Sequence, residues 1–123
     1  MNVHTGNQEF KADGNKLRPS LLFEGMPRAL LLVIAVLEYG AQKYEAHSWK
    51  RVSAARYRDA GLRHMLTEMA GLGEKDAESG LIHLAHESCN ALLQLQQKVD
   101  QLSPEEFQDL LKFNPPPQDH KQK

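Results

Sequence analysis

Nine consecutive apolar residues, Ala29-Leu30-Leu31-Leu32-Val33-Ile34-Ala35-Val36-Leu37, constrain this chain more than any other feature. The run follows Pro27, a residue that suits the first turn of a helix because its missing N–H would go unpaired there anyway. It is apolar on every side, so a helix through it must be surrounded by neighbours. A strand over Leu31–Val36 is the competing reading, but the sequence holds no second strand-like run to pair with it. Nine residues also fall far short of the ~17–25 that span a bilayer. The run therefore predicts a core helix from about Pro27 to Tyr44 in a soluble protein.

The remaining elements follow from spacing and punctuation. Ser53–Leu72 carries Leu62, Met65, Leu66, Met69 and Leu72 at helical intervals, and Gly71 and Gly73 end it. Asp76 is a suitable N-cap for a third helix, in which Leu81, Ala85, Leu92, Leu95, Val99 and Leu102 recur on one side. Ser103-Pro104-Glu105-Glu106 then combines a cap, a first-turn proline and a Glu at the third helical position, starting a short fourth helix that runs to about Phe113. Pro115-Pro116-Pro117 stops it, and the tail of residues 115–123 reads as disordered. Residues 1–25, interrupted by Gly6, Gly14, Pro19 and Gly25, read as an arm docking on a single helical domain of residues 26–114. The expected fold is all-α, a compact bundle of about four helices. A chain of 123 residues has one modest core, so completing a deep cleft by pairing as a homodimer or homotetramer is expected.

Composition removes some functions. Fifteen Lys and Arg against sixteen Asp and Glu leave no basic excess for nonspecific nucleic-acid binding. The N-terminus lacks the basic start and apolar run of a signal peptide, and a lone cysteine, Cys89, suits a reducing compartment, so a cytoplasmic location is expected. Charge is nevertheless segregated. Lys43, Lys50, Arg51, Arg56, Arg58 and Arg63 precede a stretch containing Glu68, Glu74, Asp76, Glu78 and Glu87. Carboxylates beside cations suit a metal and a phosphate, although solvated helix faces carry charge as well.

Polar residues in apolar surroundings sharpen that reading. Glu38 follows the apolar run and, if buried, needs a metal, an Arg or a structural hydrogen bond. Gly40, two residues on, suggests close approach by a backbone or ligand. His83, His86, Glu87 and Asn90 share one face of the third helix, and His64, one turn before Glu68, could add an imidazole from the second. Asp76 and Glu78 sit where a helix dipole favours acids. Trp49, the only tryptophan, could stack on a base or pin its loop.

Together Lys16-Leu17-Arg18, Tyr39-Gly40-Ala41-Gln42-Lys43-Tyr44, Ser48-Trp49-Lys50, Tyr57, Arg63-His64, Gly73-Glu74, Asp76, Glu78-Ser79-Gly80 and His83-Leu84-Ala85-His86 to Asn90 resemble the phage dATP/dGTP diphosphohydrolase-like family. That family is related to the MazG-like all-α nucleotide pyrophosphohydrolases. The resemblance covers about residues 10–95. It implies metal-dependent cleavage of a purine deoxynucleoside triphosphate to monophosphate and pyrophosphate. It also implies a phage context in which the nucleotide pool is reshaped, with dGMP supplied in some phages for 2-aminoadenine DNA. The paired Glu-x-x-Glu and Glu-x-x-Asp motifs of MazG-like enzymes are not reproduced, since Ala41 follows Glu38 at the third position.

On this reading Glu38, Asp76, Glu78 and His83 hold Mg²⁺ or Mn²⁺, and His64 or His86 orients the attacking water or takes its proton. Lys43, Arg56 and Arg63 bind phosphates, with Lys16 and Arg18 closing from the arm. Tyr44 or Trp49 stacks on the base, and Asn90 hydrogen-bonds ligand or helix. No membrane and no stable nucleic-acid partner are expected. A non-catalytic nucleotide-binding module is the alternative, followed by a helix-turn-helix DNA binder using Ser53–His64.

Overall fold

The computed structural model describes residues 16–112. Among them the chain is all-helical: α1 (Ser20–Phe23), α2 (Pro27–Lys43), a 3-10 turn (Ser48–Arg51), α3 (Ala54–Met69), α4 (His83–Val99) and α5 (Pro104–Leu110). The first fifteen residues of the expected arm and the whole of the expected tail lie outside the described residues. No described helix is long and apolar enough to cross a membrane.

Local chemistry accounts for most boundaries. Pro27 occupies the first turn of α2, as the sequence suggests. α3 ends in a glycine cap: Gly71 takes φ +76°, its N–H bonds the Glu68 carbonyl, and the Leu72 N–H reaches back to Thr67. α5 starts with a reciprocal capping box, in which the Ser103 hydroxyl accepts the Glu106 N–H and the Glu106 carboxylate accepts the Ser103 N–H.

The third helix departs from expectation. It begins at His83, and Asp76 caps a turn in its place. The Asp76 carboxylate accepts the backbone N–H groups of Glu78 and Ser79, while Gly80 at φ +76° turns the chain away from a helical path. Lys75 and Ile82 then pair in an isolated antiparallel bridge, and the His83 N–H is bonded to the Glu74 carbonyl. Asp76 and Glu78 are thus loop residues, and the expected dipole of a helix starting at Asp76 does not act on them.

α4 is the central element, packed along α3 and also against α2, while α1 leans on α2. All buried residues of the described chain lie on α4: His83, Ala85, His86, Cys89 and Asn90. Gly61 on α3 lets the helices approach, since a Cβ there would sit 3.4 Å from the Asn90 Cβ. The expectation that α2 is enclosed is corrected within this chain. None of its residues is buried, and Leu31 and Ile34 are 65% and 55% exposed, because among the described residues α4 is its main neighbour and the four-residue α1 adds little.

Candidate metal and phosphate site

The α3–α4 pair brings three imidazoles together. The His64 and His83 Nδ1 atoms lie 2.8 Å apart, and the His64 and His86 rings stack with centroids 4.4 Å apart and planes within 4°. The loop before α4 adds Asp76. His64, Asp76 and His83 each offer a ligand atom, and these atoms all lie within 4.8 Å of one another. Two imidazole nitrogens about one ion of ordinary bond length stand roughly 3 Å apart, which the histidine pair already satisfies.

The surroundings hold this cluster in a defined state. Ser79 Oγ is 2.7 Å from His86 Nε2 and accepts the Leu81 N–H, so its own hydrogen is free to point at the ring. The Asn90 amide donates to the His86 carbonyl. Burial pushes the pKa of both His64 and His86 down, helped at His64 by the neighbouring His86, so both rings are neutral at pH 7. Burial opposes ionisation of Asp76 but is outweighed, chiefly by the Ser79 N–H, and its carboxyl ends below the usual range. Neutral imidazoles and an ionised carboxylate are the forms that bind cations.

A second polar group borders the first. Lys43, at the end of α2, grips both Glu78 oxygens at 3.0 and 3.1 Å. The Tyr39 hydroxyl is close enough to act on Glu78 without closing a hydrogen bond, and Tyr39 and Lys43 together hold that carboxyl below its ordinary value. The Tyr39 ring meets His86 edge-on at 6.3 Å and links the two groups.

The profile of the family described as dATP/dGTP diphosphohydrolase, N-terminal, matches residues 6–107. The chain belongs to the dATP/dGTP diphosphohydrolase family. Comparisons with curated proteins and with solved structures return no significant match.

For this family member the expected site residues divide clearly. His64, Asp76, His83 and His86 converge, with Asn90 beneath them and Glu78 and Lys43 at the border. Glu38, expected on a buried helix, is exposed on α2 and outside the cluster, and among the described residues its carboxylate accepts a hydrogen bond from the Gln42 amide at 3.4 Å. Arg56 and Arg63 are exposed on α3, seven residues apart and hence on one face, with Arg63 beside His64. Trp49 is half-buried at the far end of α3, where its carbonyl accepts the Tyr57 hydroxyl and the Gln97 amide, which suits loop pinning. Tyr44 is 66% exposed, with the Lys43 ammonium 5.6 Å from its ring centroid, and Lys16 and Arg18 are exposed ahead of α1.

Three residues of the site had no assigned role from sequence. Ser79 and Tyr39 contact His86, and Glu87 on α4 faces Glu68 on α3, one turn beyond the histidine pair. Burial and the Glu68 charge raise the Glu87 pKa, and one Glu87 oxygen is enclosed without a hydrogen bond. The spacing Asp76-x-x-Ser79 is the usable signal for Ser79, because an Asp that caps the N–H three residues on fixes that residue's position.

Proposed function

We propose that this chain is a metal-dependent hydrolase that converts purine deoxynucleoside triphosphates, dATP and dGTP, to monophosphate and pyrophosphate. The observation that carries the reading is the convergence of His64, Asp76 and His83 beside exposed cations, in a family named for this activity. The donor set of two imidazoles and one carboxylate suits Mn²⁺ or another transition-metal ion better than Mg²⁺, which prefers oxygen ligands. His64, Asp76 and His83 would hold the ion; Glu38 and Glu78 are outside that set. When bound, such an ion supplies polarisation of a phosphate oxygen and a more acidic water.

The chain's own groups supply the rest. Arg63 and Arg56 present guanidinium forks along one face of α3 for the phosphate oxygens, and Lys43 adds a point charge once it exchanges Glu78 for substrate. Water adds across the α–β phosphate bridge: its oxygen bonds to phosphorus, the bridging P–O bond breaks, and pyrophosphate leaves. The released proton reaches His86, neutral through burial, by way of the Ser79 hydroxyl at its Nε2. His86 also positions His64 by stacking on it. The working unit is a homo-oligomer, and in a phage-infected cell its activity would reshape the purine pool and could supply dGMP for 2-aminoadenine DNA.

The test is incubation of the full chain with dGTP or dATP and Mn²⁺, Mg²⁺ or EDTA, with products separated by ion exchange. Monophosphate and pyrophosphate are expected with Mn²⁺ and lost with EDTA and in His83→Ala. Diphosphate with orthophosphate would overturn the bond assignment. Tight dGTP binding without turnover would favour the non-catalytic module.

A further inference from the structure

We infer that the outward face of α2 is the contact between two copies of this chain, packed antiparallel across a two-fold axis. This inference rests on the homo-oligomer reading and specifies its surface. Leu31 and Ile34 lead that face, with Met26 at the start of the helix and Leu21 and Phe23 on α1; each is more than half exposed. Large apolar side chains left contiguous in water mark an interface.

Besides three prolines, residues 1–15 and 113–123 carry few apolar side chains, Met1, Val3, Phe10, Ala12 and Phe113. The charges on α2 select the occupant. Arg28 precedes Leu31 and Glu38 follows Ile34, about 15 Å apart along the helix axis. Among the described residues Arg28 makes no ion pair, and Glu38 makes only its long bond to Gln42. A parallel second copy would set Arg28 against Arg28 and Glu38 against Glu38. An antiparallel copy sets Arg28 against the other copy's Glu38 at both ends, with leucine and isoleucine between. A two-fold contact has this self-complementarity, because residue i meets j and j meets i.

Sedimentation equilibrium of the full chain tests the proposal independently of catalysis. The wild type is expected to be a dimer or an even multiple. Arg28→Glu alone and Glu38→Arg alone each create two like-charge pairs and should weaken the association about tenfold or more, and the double variant should recover to within about threefold. Leu31→Glu combined with Ile34→Glu should dissociate the pair while circular dichroism stays helical. If that variant unfolds, the charge exchange decides. An oligomeric wild type indifferent to these changes overturns this face and leaves the oligomer reading intact. A monomeric wild type overturns both and assigns the face to a different protein or to the chain's own ends.

Discussion

α2 and α4 are both seventeen residues long, and they divide the molecule's work in opposite ways. α2 carries the longest apolar run in the sequence and buries no residue. α4 is interrupted by His83, His86 and Asn90, yet holds every buried residue of the described chain. Burial follows neighbours, not apolar content: among the described residues α4 packs against both α2 and α3, while α2 meets α4 and the short α1. The buried polar groups of α4 are tolerable because each has a partner, His83 in His64, His86 in Ser79 and Asn90 in the His86 carbonyl. One helix therefore carries the polar cluster of the candidate site, and the other leaves apolar surface exposed.

The largest effect should come from the polar end of that contrast. Asp76→Asn keeps a carbonyl oxygen that can still accept the Glu78 and Ser79 N–H groups, so the loop is retained while the charge is lost. We expect at least about a hundredfold loss of triphosphate turnover. The melting temperature should move by no more than about 4 °C. An active Asp76→Asn would remove the carboxylate from the site. Next is the α3–α4 seam. Gly61→Ala fits the 3.4 Å approach to Asn90, whereas Gly61→Leu must push the helices apart, at about 1–3 kcal/mol, and separate His64 from His83. Thermal melts and Mn²⁺ titration of both variants would show it; equal behaviour would mean that the seam does not set the histidine spacing.

Acidification should act on the same seam. His64 and His86 have depressed pKa values in the folded state, so between those values and the unfolded value of about 6.5 the unfolded chain binds more protons. Their contribution is complete above that unfolded value and fades as pH falls toward the folded ones. Asp76, also depressed, contributes above its unfolded carboxylate pKa and is lost only at lower pH. Melting temperature should therefore decline from pH 7.5 to 5.5, and His86→Gln should flatten that decline. A flat wild-type profile would show that neither ring is held neutral.

These expectations show which features a sequence can carry. Pro27, Gly71 and the Ser103/Glu106 box declare their helix ends because the deciding interactions lie within a few residues. Asp76 is equally local and still misled, since an Asp caps a helix or a turn with the same atoms and the choice lay with Gly80. The shared face of His83, His86 and Asn90 was legible from spacing, but the meeting with His64 depends on the helix approach at Gly61. Lys43 and Glu78, 35 residues apart, were visible only as segregated charge. Glu38 was misplaced because an apolar run implies enclosure without saying whose chain encloses it.

The smallest expected effect separates those two meanings of α2. Gly40 lies inside the helix at a position where an added Cβ meets nothing within 4 Å in the single chain. Alanine there removes the backbone entropy that glycine loses on folding, a gain of about 0.5–1 kcal/mol. The paired change Gly61→Ala, made against a neighbour at 3.4 Å, should gain less. If Gly40→Ala raises the melting temperature and leaves the sedimentation profile unchanged, the second copy sits along Leu31 and Ile34 and spares Gly40. If it lowers either stability or association, a backbone or ligand approaches Gly40 in the working assembly, and the contact extends beyond the Arg28–Glu38 span toward Lys43.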